Sequence, residues 1–312
     1  MRDLAVVFVN YRTPDDVSAS IASVERTGGD VVAEVVVVDN ASGDGSAALL
    51  RERHPGVQVV EEQENRGFAA GVNAGFAASS APYVLVLNPD TEVRAGALAE
   101  LRDHLRDAPA AGVAGPVLLD RGGDVRLDSY KALPGLWSVF VGAFFPLGQA
   151  LVGTRLHPEL RARRDSAKGG PVPRVCGSAM AIKREAYDET GPLDERYFLY
   201  FEEVDWQRRA AGRGWQIDVV PEARVLHAIQ GGHVRETWPV SYVDSAFRYL
   251  SATHPPQRVA AVLLAGFALS RATLRVAALV PPLRAKARRM DAGYAELFSH
   301  VRELRSNALR RQ

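Results

Sequence analysis

Tyr83-Val-Leu-Val-Leu-Asn-Pro-Asp-Thr91 is an apolar strand that ends abruptly in a carboxylate. Residues 83–87 form a continuous aromatic, aliphatic and β-branched run. Pro89 cannot extend a hydrogen-bonded ladder, so Asp90 sits at the strand's carboxyl end. In an open α/β sheet that edge is where ligands bind.

Upstream, Leu4-Ala-Val-Val-Phe-Val9 has the unbroken apolar pattern of a parallel strand buried on both faces. A helix is predicted from Pro14 to about Arg26, with Asp15 and Asp16 in its first turn and Val17, Ile21 and Val24 on one side. Residues 34–38 and 57–60 read as the next two strands, separated by a helix that begins at Ser46. Asn65-Arg-Gly-Phe-Ala-Ala-Gly-Val-Asn73 then sets glycines at the mouth of a helix running to about Ser79. Such alternation predicts an α/β fold with a doubly wound, mostly parallel sheet. The predicted strand ends carry Asn10-Tyr-Arg12, Asp39-Asn40, Asn65-Arg-Gly67 and Asn88-Pro-Asp90. One polar cluster is ordinary for a loop, whereas four at one edge predict a site.

Downstream, residues 97–106 read as a helix and 113–119 as a strand. Residues 120–170 lack clear periodicity, and their apolar 136–147 stretch fits either a core hairpin or a flap over an acceptor. Residues 175–182 are a predicted strand in which Gly177 and Ser178 would let a ligand approach the backbone. A short helix over 184–190 is closed by Gly191. A second, over 198–214, has acids at its start and arginines at its end. Residues 217–220 and 224–227 are strand-like.

The composition, 47% hydrophobic and 24% charged over 312 residues, excludes a largely disordered chain. The formal charge of +1 is unevenly spread: residues 255–312 carry eleven Lys/Arg against three acids, leaving an acidic body. A basic tail suits an anionic partner surface, membrane or nucleic acid. From 259 to 280 the chain is strongly apolar, but its longest uncharged run, 259–270, is 12 residues and reads as too short to span a bilayer. A buried packing helix and an interfacial helix beside basic Arg284-Ala-Lys-Ala-Arg-Arg289 both fit. The single cysteine, Cys176, excludes an intrachain disulfide and a thiolate metal cluster. With Leu4–Val9 too short for a signal-peptide core, the expected location is the cytoplasm.

Four motifs together resemble the inverting glycosyltransferases of family 2, with the GT-A fold, and among them the rhamnosyltransferase-like branch. They are Val9-Asn-Tyr-Arg12; Val38-Asp-Asn-Ala-Ser-Gly-Asp-Gly-Ser46; Asn65 to Asn73 with Leu87-Asn-Pro-Asp-Thr91; and Phe201-Glu-Glu-Val-Asp-Trp206 with His227. The likeness runs in order over about residues 4–233. It implies a glycosyltransferase domain over 1–235, with a nucleotide-sugar half (1–119) and an acceptor half (120–235), and a helical extension over 236–312.

The resemblance also implies roles. Val9, Asn10 and Tyr11, with Arg12, would line the base of a nucleotide-sugar donor, and Asp39 beside Asn40 would accept a hydrogen bond from base or ribose. Asn65, Gly67 and Asn73 would frame the sugar and diphosphate. Asp90 would hold Mg2+ or Mn2+, with Asn88 standing where the family's DxD motif has its first acid, and His227 would be a second ligand, His233 a weaker alternative. Glu203, where the family usually has Asp, would be the base, with Glu202 and Asp205 remaining open. The implied reaction moves L-rhamnose from a dTDP donor to a glycan or lipid-linked acceptor at the inner membrane face, without nucleic acid; membrane contact through 259–289 rests separately on the interfacial reading of its apolar and basic residues. UDP- and GDP-sugars stay open as donors. A nucleotidyltransferase would show a phosphate-gripping basic loop after the first strand, which Asn10-Tyr-Arg-Thr-Pro14 is not, and a non-catalytic sugar-nucleotide binder is the other alternative.

Overall fold

The computed structural model describes residues 2–126, 129–151, 169–227 and 239–310. The chain divides into two units: Met1–Leu133, Ala162–Phe198 and Glu202–Gln230 form one, and Pro134–Arg161, Leu199–Phe201 and Gly231–Gln312 the other. The second unit is therefore more than a C-terminal appendage.

In the first unit, β1 (Leu4–Asn10), α1 (Pro14–Thr27), β2 (Val32–Asp39), α2 (Ser46–Arg53), β3 (Gln58–Glu61), α3 (Phe68–Ala78) and β4 (Tyr83–Leu87) alternate as the sequence predicts. Pro14, Asp15 and Asp16 in the first turn and Arg26 in the last match α1 to its own dipole. β1 is buried along its whole length, Leu4, Val6 and Phe8 entering one core and Ala5, Val7 and Val9 the other. The first core contains Ile21 and Val24 of α1, and the second Val72 and Phe76 of α3.

β5 (Thr91–Val93), α4 (Ala97–Asp107), β6 (Ala111–Leu119) and β7 (Tyr130–Lys131) follow. Next come α5 (Leu136–Ala143), α6 (Phe145–Leu151), β8 (Gly170–Pro171), β9 (Arg174–Val175), β10 (Ala179–Lys183), α7 (Arg184–Thr190), α8 (Glu202–Gly212) and β11 (Gln216–His227). The sheet runs β3-β2-β1-β4-β10-β6-β11-β5, with β8 on β11. Its first four strands are parallel, β10 is antiparallel to both β4 and β6, and β5 is antiparallel to β11. The carboxyl ends of β1, β2, β4, β6 and β11 consequently share one edge with the start of β5 and of β10.

Local expectations need four corrections. The 136–147 stretch is neither hairpin nor open flap but two short helices of the second unit. The strand expected over 175–182 is split, because β9 pairs with β7 while β10 joins the main sheet. The helix expected from 198 begins at Glu202, since Tyr200 and Phe201 take left-handed φ of 71° and 68°. The two strand-like segments near the end are one strand, β11, whose register shifts between Val220 and Arg224.

The second unit also holds α9 (Val240–Ser251), α10 (Pro256–Ala277), a 3-10 turn at Pro281–Leu283 and α11 (Arg284–Arg310). α10 has 22 residues and is, among the described residues, the one helix long and apolar enough to cross a membrane by length and composition alone, a test that a packing helix with a buried face also passes. Its face of Val259, Leu263, Gly266, Phe267 and Ser270 is buried. Gly266 lets α5 approach closely, as an added Cβ would lie 2.6 Å from that of Ala143. α11 packs along α10, with Phe267 and Tyr294 rings 5.7 Å apart and Arg271 bonded to Asp291 at 2.8 Å.

Candidate active site

The site is built on the shared edge of the first unit's sheet. Parallel register sets Asn10 beside Asp39. The Asn10 amide donates to Asp39 Oδ1 (2.6 Å) and Ser42 Oγ (3.2 Å), and its carbonyl accepts from the Thr13 N–H. Asp39 also accepts from the Ser42 hydroxyl and backbone N–H. Both residues are buried, so they form a closed hydrogen-bonded floor. Tyr11, 44% exposed, and Arg12 stand above it, the guanidinium 5.2 Å from the ring centroid. Arg12 is held there by its N–H and Nε, which donate to Ser42 Oγ and Ser42 O.

Next along the edge, the Asn40 amide donates to Asn65 Oδ1 (2.9 Å) and to the Gly67 carbonyl (3.0 Å). The Asn40 carbonyl oxygen is buried with no partner among the described residues. Gly67 has φ 94° and ψ 179°, conformational space open in practice to glycine alone, and the Phe198 backbone packs against it. Asn73 lies elsewhere: its carboxamide is used up by Leu193 N and O, Tyr187 OH and Glu195, latching α3 to the segment before α8. One and a half helical turns beyond Gly67, it belongs to the scaffold.

Asp90 and His227 are 137 residues apart in sequence, and the β5–β11 pairing brings Asp90 Oδ1 within 3.2 Å of His227 Nε2. A cation about 2.1 Å from each of two adjacent ligands, at roughly a right angle, sets the ligand atoms about 3 Å apart, so this carboxylate and imidazole fit Mn2+ or Mg2+. Among the described residues no group of three or more His, Cys, Asp or Glu forms a complete cage. Asp16 is nearby: burial raises its carboxyl above the usual range, with the charges of Asp90 and then Asp15 adding to the effect. Asn88 is half-buried, its N–H bonded to Ser178 O. His233 lies outside the described residues.

The acids of α8 have three different environments. Glu202 is buried with one oxygen unpartnered; burial, and secondly the Glu203 charge, hold its carboxyl well above the usual range. Asp205 is tied to its own helix, accepting from Arg208 and Arg209 at 2.9 Å each. Glu203 is laid over Gly177, whose added Cβ would come within 2.8 Å of Glu203 Cγ. Its Oε2 has no partner among the described residues, and Arg174 Nη1 is 3.8 Å from its Oε1. Since Ser178, next to Gly177, bonds the Asn88 N–H, Glu203 is carried on the same edge as the Asn88-Pro-Asp90 turn.

Sequence reasoning missed two residues here. Gln207 exchanges hydrogen bonds with both backbone groups of Val175 and donates to Glu203 O, clamping α8 to the strand under Glu203. Its position four residues after Glu203, on the same helix face, was the available signal. Arg174 had none, being one basic residue in a poorly patterned stretch.

A parallel nucleotide-type sheet half joined to a mixed half, with acids and a histidine gathered at one edge, defines the GT-A class of glycosyltransferases. Residues 5–191 match glycosyl transferase family 2, and the chain belongs to that family. It is 31% identical over 242 residues to the N-acetylglucosaminyl-diphospho-decaprenol L-rhamnosyltransferase of Mycobacterium tuberculosis, over 72% of this chain and 75% of that protein. It is 27% identical over 260 residues to the low-salt glycan biosynthesis hexosyltransferase Agl10 of Haloferax volcanii, over 80% and 75%. Among solved structures, the mannosyltransferase PcManGT of Pyrobaculum calidifontis with GDP-Man and Mn2+ superposes with TM-score 0.62 at 18% identity, over 96% of this chain and 86% of that one. GalNAc-T7 with UDP, GalNAc and Mn2+ gives 0.58 at 16%, over 82% and 52%. These two likenesses bear on the fold.

Proposed function

We propose that the enzyme transfers L-rhamnose from dTDP-rhamnose, with inversion and assisted by a divalent cation, to a hydroxyl of a polyprenyl-diphosphate-linked glycan. The observation that carries the reaction type is the meeting of Asp90 and His227 at 3.2 Å on the edge where Glu203 has a buried, unpartnered oxygen. The donor and acceptor follow the similarity to the mycobacterial L-rhamnosyltransferase. UDP- and GDP-sugars are the competing donors, favoured by the ligands of the structural neighbours.

Tyr11 and Arg12 receive the base above the Asn10–Asp39 floor, and Asn40, Asn65 and Gly67 border the diphosphate. Asp90 and His227 would hold Mg2+ or Mn2+, which supplies Lewis-acid neutralisation of the departing diphosphate. Glu203 takes the proton of the acceptor hydroxyl as that oxygen bonds to the anomeric carbon. The bond from that carbon to the diphosphate oxygen breaks on the opposite face, and the nucleotide diphosphate leaves with its electron pair. Burial, and secondly the Glu203 charge, raise the Glu202 carboxyl and so disfavour a second charge beside the base.

The test is calorimetry against dTDP, UDP and GDP with and without Mn2+, followed by transfer to a polyprenyl-diphosphate-linked N-acetylglucosamine. Glu203→Gln should bind nucleotide as the parent does and lose turnover by about 10²–10⁴-fold. Retained turnover would move the base elsewhere, and binding of UDP or GDP but not dTDP would replace the donor.

A further inference from the structure

The connection between α10 and α11 is chemically unlike an ordinary helix–helix turn. From Val276 to Leu283, VAALVPPL, eight consecutive residues carry no polar side chain. Its four large side chains are nonetheless exposed: Val276 by 67%, Leu279 by 75%, Val280 by 45% and Leu283 by 49%. Helix connections in water are usually polar, and adjoining exposed apolar side chains mark a contact surface.

The tip is held rigidly. Arg271 and Arg275 both reach Asp291 across the hairpin, at 2.8 and 3.4 Å, and Arg284 Nε caps the end of α10 by donating to Ala278 O. Ala287 and Met290 close the core directly behind it. Immediately after the tip come Arg284, Lys286, Arg288 and Arg289, all exposed. Lys286 and Arg288 form no ion pair among the described residues, and the 255–312 region has a large excess of positive charge.

An apolar wedge collared by cations matches a surface that is anionic outside and hydrocarbon within. We propose that residues 276–283 insert peripherally into an anionic phospholipid bilayer, with Arg284, Lys286 and Arg288 at the headgroups. The collar selects the leaflet and the leucines hold the depth. Lipid docking stands on the geometry of the second unit and deepens the reading of a lipid-linked acceptor, which such docking would keep within two dimensions.

Flotation of the full-length protein with vesicles of phosphatidylcholine alone, or mixed with phosphatidylglycerol, tests this without donor or acceptor, so its failure and a failure of the transferase reading are separable. The protein should float with the mixed vesicles and not with phosphatidylcholine alone. Leu279→Glu with Leu283→Glu should reduce binding at least about tenfold, and Lys286→Glu with Arg288→Glu by a similar factor while flattening its salt dependence. All four positions are exposed, so the variants should keep the parent's unfolding midpoint. Undiminished flotation of the leucine variant would overturn the proposal. So would resistance to alkaline extraction, which would mean that α10 spans the bilayer. A dimer in light scattering that the leucine variant converts to monomer, with no flotation, would assign the tip to a second copy of this chain.

Discussion

Gly177→Ala separates the placement of the proposed base, Glu203, from its chemistry. The position is buried and has no positive φ, so its backbone accepts alanine without strain. The new Cβ, however, would sit 2.8 Å from Glu203 Cγ, 3.2 Å from its Cβ and 3.3 Å from its Cδ. Carbon pairs rest at about 3.5–4.0 Å, so the Glu203 side chain must retreat by about 1 Å. Strand residues 174–175 cannot yield instead, because Gln207 fixes both backbone groups of Val175 to α8. A displacement of that size at a reacting group costs about 10²-fold in rate. Steady-state transfer should therefore show kcat lowered about 100-fold, with nucleotide affinity by calorimetry and the unfolding midpoint close to the parent's. Full turnover in Gly177→Ala would refute the reasoning, since a base that tolerates being pushed off its strand is not positioned by it.

Asp90→Asn and His227→Ala should each lower the Mn2+-dependent part of nucleotide affinity at least about tenfold while leaving metal-free affinity in place; equal titrations with and without Mn2+ in the parent would remove the pair from metal binding. Gly67→Ala forces alanine to φ 94° and brings its Cβ to 2.7 Å from Phe198 Cα, closer still to the carbonyl that accepts the Phe68 N–H. It should cost about 3 kcal/mol and lower the midpoint by about 10 °C in a thermal melt. Glu202 sets a pH dependence. Its folded-state carboxyl is raised, so the folded chain binds that proton more tightly than the unfolded chain. The resulting stability is fully present below the unfolded value near 4.5 and is lost as pH rises through the folded one. Glu202→Gln should accordingly gain stability relative to the parent as pH increases above about 4.5, and parallel midpoint-versus-pH curves would contradict this.

The parallel half of the sheet is legible because burial on both faces writes itself as continuous apolar runs, as in Leu4–Val9 and Tyr83–Leu87. The edge is legible too, since each run stops at a polar residue that cannot continue it. What a residue at that edge is bonded to is not. Asn10, Asp39 and Asn73 look alike in sequence, yet the first two bond each other and Asn73 latches a distant segment. Left-handed Tyr200 and Phe201 are illegible because aromatic residues give no turn signal. β5 is three residues long and is defined by its partner β11, so no local pattern announces it. α5 and α6 are hidden in a uniformly apolar stretch where helical period and strand alternation cannot be told apart.

The closed floor has a consequence for how such an enzyme changes over generations. Replacing Asn10 takes from buried Asp39 one of its three donors, the other two being the Ser42 hydroxyl and N–H, so folding itself constrains the floor. Tyr11, one residue on, is exposed and carries the Arg12 guanidinium over its ring. If Tyr11 meets the nucleotide base as proposed, selection can therefore rewrite that contact without endangering the sheet beneath it. On that proposal donor preference would be a trait that can drift, be sampled and be fixed on an unchanged scaffold, and libraries meant to alter the donor should vary Tyr11 and leave Asn10 and Asp39 alone.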